Sequence, residues 1–361
     1  MTLAVGAEVG GRYRVDYHIA SGGMGSVYAV HHRDTGHRHA LKVLKQTGGD
    51  GASTLERFRR EAQLLDSFDH RGVVKMTDAG VMEDGSAFLV MELLEGETLL
   101  SFLRREAPIE PRRLVPIVRG MAEALDAVHG TGVIHRDLKP SNVFLTPDGI
   151  KLVDFGVAFG VDLVSLTMSG QVVGTVRYMA PEQLEGRRAL DARADVYSMG
   201  LIIWAALAGR PPHGGTIAQS TMSIMGGTPR LETFAPAIPP RLADVVHRAI
   251  ARRREDRFET AGAFTAAFEA ALSEPAGRAD PGLRWAHERT GFQPLPPTRE
   301  VPSFRPPVAA APAADAMEDD PTEVDPQPLG ARRPRVVFLT IAAAAVVGIA
   351  VGVALFMLRT S

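Results

Sequence analysis

No cysteine occurs among the 361 residues, which excludes disulfides, a thiol nucleophile and cysteine-ligated zinc or iron–sulfur centres. Chemistry must come from Ser, Thr, Asp, Glu, Lys, His or a bound metal. An excess of one charge is also missing: 40 basic against 42 acidic residues leave a net charge of −2. Such a chain has no global electrostatic attraction for nucleic acid, and none is expected as a partner. Aromatics are few, at 6%. Met1 to Gly10 carry neither an apolar run nor a basic cluster. Long hydrophobic runs are absent until the last thirty residues or so, where there is one.

The length exceeds one ordinary core, and the composition divides it. Residues 13–272 read as a folded unit, with short alternating strands first and longer amphipathic segments later. Residues 273–335 read as a linker: Ser273 to Pro334 holds 13 of the 25 prolines in 62 residues. That composition buries too little surface to offset ordering entropy, and such a coil spans roughly 40–50 Å end to end. Val336 to Leu358 is 23 residues without a charge, Thr340 being its one polar group. At helical rise it is ~34 Å long, which predicts a single transmembrane helix over 336–358.

Arg332, Arg333 and Arg335 precede that segment and Arg359 alone follows it, so the large N-terminal part is expected in the cytoplasm and the C-terminus outside. Only three residues follow the segment. The activating signal is therefore expected on the cytoplasmic side, within the bilayer or through clustering. Ala344, Gly348 and Gly352 recur at four-residue spacing, the small-residue pattern of helix dimers, so a homodimer through this segment is a further expectation.

Two regions carry residue types suited to phosphate chemistry. Ile19, Ala20, Ser21, Gly22, Gly23, Met24, Gly25, Ser26 and Val27 form a glycine-rich turn between two predicted strands, where backbone N–H groups could approach a phosphate. Ala40 to Leu44 then reads as an apolar strand broken by Lys42, whose inward ammonium needs an anion. Thr54 to Phe68 shows helical periodicity, with Glu61 bordering the apolar face as a candidate partner for Lys42. Further on come His135-Arg136-Asp137-Leu138-Lys139-Pro140-Ser141-Asn142, then Asp154-Phe155-Gly156, then Gly174-Thr175, Ala180-Pro181-Glu182, and Asp195 opening a helix through Ala208. His32-Arg33-Asp34 repeats one tripeptide but lacks the downstream Lys and Asn, and reads as a hairpin turn. His31, His37 and His39 nearby read as surface residues.

Across about residues 13–272 these motifs, in this order, resemble a bacterial eukaryotic-like Ser/Thr protein kinase. The resemblance implies an α+β, bilobal fold, with a β-rich N-lobe over about 13–94 and a helical C-lobe over about 95–272. It implies ATP with Mg²⁺, or Mn²⁺ in its place, and protein substrates phosphorylated on Ser or Thr. By the same resemblance Asp137 accepts or orients the substrate hydroxyl proton and Lys139 stabilises the migrating phosphoryl. Asn142 and Asp154 hold the metal, while Lys42, held by Glu61, binds the α/β-phosphates. Adenine would lie between Ile19, Val27 and Ala40 on one side and Phe144 on the other, with Met91, Glu92, Leu93 and Leu94 as the hinge.

Asp195 is expected to cap its helix and brace the catalytic loop, and Glu182 to pair with Arg257. Arg136 is expected to meet a phosphate on the activation loop, at Thr167 or Ser169. Ala20 stands where the family has its first glycine. Thr322, in an acidic stretch with Asp325 three residues on, resembles a ligand of forkhead-associated domains once phosphorylated. Two other readings use the same fold: a pseudokinase scaffold, which Lys42, Asp137, Asn142 and Asp154 argue against, and a small-molecule phosphotransferase, against which stand Gly174-Thr175 and Ala180-Pro181-Glu182.

Overall fold

The computed structural model describes residues 3–22, 25–44, 70–155, 176–186 and 189–273. Gly23, Met24, Glu61, Gly156, Thr167, Ser169, Thr175, Thr322 and the segments 274–335 and 336–358 lie outside them. Among the described residues no helix is long and apolar enough to cross a membrane.

The N-terminal part is a six-stranded sheet of order β1-β2-β3-β4-β6-β5. Its strands are β1 (Glu8–Val9), β2 (Tyr13–Ser21), β3 (Gly25–His32), β4 (Arg38–Leu44), β5 (Met76–Val81) and β6 (Ala87–Glu92). Every pairing is antiparallel. Period-two alternation decides what each face does. Tyr28, Val30, Leu41, Phe88 and Val90 join Val9, Tyr13 and Val15 in a core on one face. Val27, Lys42 and Leu89 are cross-strand partners, as are Ala29, Ala40 and Met91, so they share the opposite face. One residue of slip in β4 would exchange the faces and put Lys42 in the apolar core. His32-Arg33-Asp34 enters the turn between β3 and β4, as its missing downstream partners suggested.

Gly22 and Gly25 flank the glycine-rich turn and answer different constraints. A Cβ on Gly22 would meet nothing within 4 Å, whereas one on Gly25 would lie 2.1 Å from the carbonyl oxygen of Val43. Strand packing alone therefore demands glycine at 25.

The C-terminal part is helical: α1 (Leu99–Glu106), α2 (Pro111–His129), α3 (Pro181–Leu184), α4 (Arg193–Ala208), α5 (Ile217–Gly226), α6 (Pro240–Ala249) and α7 (Ala261–Ser273). On α2 the buried Leu114, Ile117, Val118, Met121, Ala122, Leu125 and Val128 recur at three- and four-residue intervals, the stripe of a helix packed on one face. α4 is buried almost all round, from Ala194 to Leu207, and is the axis of the core. It stops at Ala208 because Gly209 takes φ 71° and closes the helix in the left-handed conformation. Asp126 of α2 accepts from the first N–H groups of α7, Ala261 at 2.9 Å and Gly262 at 2.8 Å, fixing that helix against α2.

A second sheet joins β7 (Glu97–Thr98), just before α1, to β8 (Val143–Thr146) and β9 (Gly149–Leu152), which follow α2. Leu152 at the end of β9 donates to Gly72 and accepts from Val74, tying it to the chain that leads into β5.

Candidate active site

The loop from Val133 to Asn142 is anchored from beneath by Asp195, which is 0% exposed. Its Oδ2 accepts from the N–H of His135 (2.8 Å), its Oδ1 from the N–H of Arg136 (2.9 Å), and His129 Nε2 lies 2.7 Å from Oδ2. The expected bracing is present, but the helix-cap part needs correction. α4 begins at Arg193 with Ala192 as its cap, and the Asp195 carboxylate is committed to the loop.

His135 is also completely buried. Burial holds its imidazole below the ordinary histidine range, so it stays neutral. Nε2 then donates to the carbonyl of Val153 at 3.2 Å, while Nδ1 faces the N–H of Asp137 at 3.4 Å. Val153 N–H in turn donates to the carbonyl of Asn142 (2.9 Å). The residue before Asp154 is thereby held at both ends by the Asp137 loop.

Arg136 and Asp154 adopt left-handed backbones, φ 64° and 56°, which non-glycine residues rarely do. At Arg136 the conformation is held from two sides, by Asp195 on its N–H and by Gln183 Nε2 on its carbonyl at 2.7 Å. The outcome is to aim Asp137 into the site. Asp137 Oδ2 receives Lys139 Nζ at 2.7 Å and Asn142 Nδ2 at 3.1 Å, and Asn142 Nδ2 also reaches the Asp137 carbonyl at 2.9 Å. Opposite, Lys42 Nζ meets Asp154 Oδ1 at 2.7 Å. The glutamate expected to hold Lys42, Glu61, lies outside the described residues.

The sheet face that carries Lys42 also carries Val27 and the buried Ala40. Ile19 is half-buried beside an irregularity in the β2–β3 register between His18 and Ala20. Ala20 and Ser21 are exposed near the end of β2, and Ser21 and Ser26 hydroxyls meet across the strands at 2.9 Å. Phe144 pairs with Lys151 across β8 and β9, and Lys151 Nζ reaches Glu92 Oε1 at 2.6 Å. Glu92, at the end of β6, is thus held by its side chain, which also accepts from the N–H of Lys75 at 2.8 Å. Its own N–H donates to the Lys75 carbonyl. Leu94, two residues on, is half-buried in the connection to β7.

Sequence reasoning did not anticipate His129, Gln183, Lys151 or Val153. Gln183 alone left a local signal. It follows Ala180 by three residues, and its Oε1 accepts from the Ala180 N–H at 2.9 Å before its amide reaches Arg136.

A six-stranded sheet bearing a buried lysine, set with a helical body bearing Asp137, Lys139, Asn142 and Asp154, is the arrangement of a protein kinase. The protein kinase domain family matches residues 13–268, and the chain belongs to that family. It is similar to Serine/threonine-protein kinase PknA of Mycobacterium tuberculosis, with 35% identity over 288 residues, 78% of this chain and 65% of PknA. It is also similar to Serine/threonine-protein kinase PknH of the same organism, with 37% identity over 306 residues, 84% of this chain and 48% of PknH. The match thus spans under two-thirds of PknA and about half of PknH. Among solved structures, the PknI kinase domain of M. tuberculosis superposes with a TM-score of 0.62 at 30% identity, covering 75% of this chain and all of that one. The fold is the bilobal kinase fold expected from the motifs.

Proposed function

We propose that the chain transfers the γ-phosphoryl group of ATP to Ser and Thr hydroxyls of proteins. The observation that carries this reading is the convergence of Lys139 and Asn142 on one oxygen of Asp137, with Lys42 paired to Asp154. In this reading Asp137 takes or orients the hydroxyl proton, and Lys139 meets the charge on the migrating group. Lys42 holds the α/β-phosphates when ATP is present. Similarity to PknA and PknH supports the choice of Ser/Thr acceptors on proteins.

The donor set fits a hard divalent cation, Mg²⁺ in first place and Mn²⁺ in second. Asp154 offers a carboxylate, and Asn142, with its amide nitrogen pinned to Asp137, offers a side-chain carbonyl oxygen that accepts from Ser141 Oγ at 3.3 Å and has a second lone pair for the ion. The ion supplies charge neutralisation on the phosphates when bound.

The test is a phosphorylation assay with labelled ATP, a generic basic protein and phosphoamino-acid analysis. Wild type should label serine or threonine. Lys42→Met should lose about 10²-fold or more in turnover, the scale of removing one preorganised charge donor, while the chain stays folded. Undiminished labelling by Lys42→Met would sink the assignment.

We further infer the division proposed above: a kinase domain over 13–272, a linker over 273–335 and a membrane-crossing helix over 336–358, with the kinase domain cytoplasmic. Two such chains, paired through Gly348 and Gly352, would phosphorylate one another's Thr167 or Ser169, and phosphorylated Thr322 would recruit a forkhead-associated domain. Membrane fractionation decides the anchor: the full chain should resist alkaline extraction and a chain ending before Val336 should not. Crosslinking of Gly348→Ile/Gly352→Ile and pull-down with a phospho-Thr322 peptide check the remaining two steps. Unchanged crosslinking, or no partner beyond the unmodified peptide, would remove the corresponding step.

A further inference from the structure

Two buried arginines occur near α3, and the fold treats them oppositely. Arg257, 2% exposed, has every N–H accepted. Its Nε donates to the Ala251 carbonyl, Nη1 to Glu182 and the Arg193 carbonyl, and Nη2 to Glu182 and the Arg252 carbonyl. Arg177 is 8% exposed and has none of this. Among the described residues its guanidinium meets neither a carboxylate nor a carbonyl, and its Nε is buried without a hydrogen-bond partner. A guanidinium with its Nε buried without an acceptor and no carboxylate beside it is a costly arrangement, one that a fold retains when an occupant supplies the anion.

Its setting is packed, and the segment that carries it is fastened to the loop before Asp137. Val176 and Met179 on either side are 2% and 4% exposed, and the Tyr178 carbonyl accepts from Ser198 Oγ at 2.7 Å. The short turn Val176–Tyr178 packs on α4 and α5. Six residues after Arg177, Gln183 fastens this segment to the carbonyl of Arg136, the residue before Asp137. The cluster that handles phosphate makes no use of Arg177: Asp137 is engaged by Lys139 and Asn142, and Asp154 by Lys42.

We propose that Arg177 is a specificity-determining residue whose guanidinium receives an oxyanion of the protein substrate, an Asp or Glu carboxylate or a phosphate close to the acceptor hydroxyl. The inference rests on the kinase reading above and adds the substrate class. A guanidinium is suited to the task, because its planar fork matches a carboxylate or phosphate with two parallel hydrogen bonds. Discrimination follows from the missing internal partner: a neutral side chain at the same place leaves the cation without a counter-charge, whereas the anion supplies it and can accept from the buried Nε.

The test uses the full chain and peptides with one serine in a neutral background. A single Glu is walked from three residues before the serine to three after, each peptide paired with its Gln counterpart, and kcat/KM is measured. Wild type should prefer Glu over Gln by about tenfold or more at one position, the scale of a charge-assisted hydrogen bond, and phosphoserine there should do at least as well. In Arg177→Met that ratio should fall to within about twofold. The thermal midpoint of Arg177→Met should equal or exceed that of wild type, because the substitution removes an unpaired charge and not a structural contact. A clear drop in midpoint would overturn the proposal by revealing a structural counter-ion. Equal ratios in wild type and variant would overturn it as well. So would a preference that appears only when wild type is first treated with phosphatase, which would assign the arginine to a phosphate on this chain. Labelling of every peptide without preference ends this inference alone, whereas no labelling of any peptide or of the basic protein ends the kinase reading with it.

Discussion

Asp137→Asn is expected to lower phosphoryl transfer by about 10²–10⁴-fold while the fold and nucleotide binding persist. The carboxylate has two roles at once. Its Oδ2 accepts from both Lys139 and Asn142, which fixes its direction, and the remaining oxygen is the one open to a substrate hydroxyl. Asparagine keeps a single acceptor oxygen. If that oxygen stays with Lys139 and Asn142, an NH₂ group faces the hydroxyl and cannot take its proton. If it turns outward, the NH₂ group confronts the Lys139 ammonium. Either way a proton acceptor is lost from a position that is 5% exposed, where water is a poor replacement. Nucleotide affinity is a separate quantity because Lys42 and Asp154 sit on other elements. Single-turnover rates with a saturating protein substrate, together with a fluorescent nucleotide titration, separate the two effects. Near wild-type turnover would show that Asp137 is not the group that handles the proton.

The features legible in the sequence are those written in local periodicity. Strand β4 alternates so plainly that the inward position of Lys42 follows from Leu41 and Val43 pointing the other way, and the structure agrees. The end of α4 at Ala208 is equally local, since Gly209 supplies the left-handed residue that a helix terminus favours. Pairings across long stretches of chain leave no such mark. His129 sits in the last turn of α2 and shows no sign of its contact with Asp195, 66 residues on.

Glu92 could be placed at the hinge, but the lysine that holds its side chain comes from β9, 59 residues later. Asp195 illustrates the limit of local reading. An acidic residue near a helix start suggests a cap, and only the tertiary structure shows two loop N–H groups claiming its carboxylate first. Arg177 passed unremarked beside Thr175 and Ala180 for the same reason: a buried cation differs from an exposed one by its surroundings, not by its neighbours in sequence.

Arg257→Met should be strongly destabilising, costing about 3–5 kcal/mol. The pair it breaks joins α3 to the segment before α7 and is enclosed, with side-chain exposures of 0% for Arg257 and 6% for Glu182. Both oxygens of Glu182 are engaged, at 2.6 and 2.8 Å. Removing the guanidinium therefore strands a carboxylate away from water and leaves the carbonyls of Ala251, Arg193 and Arg252 without this donor. The apolar replacement preserves packing against Tyr197, over whose ring the guanidinium carbon lies at 4.6 Å, so lost volume is not the main term. For a domain of this size the expected fall in thermal midpoint is about 10 °C.

Glu182→Gln should cost less, because an amide oxygen still accepts from Arg257, although the cation loses its counter-charge. Arg257→Met combined with Glu182→Met should recover part of the loss, since no buried ion is then left alone. A positive coupling energy above about 1 kcal/mol in this double-mutant cycle is the signature of the pair. A cost below about 1 kcal/mol for Arg257→Met alone would mean that water reaches Glu182, and that this bridge is not what fixes α3 beneath the loop carrying Arg136 and Asp137.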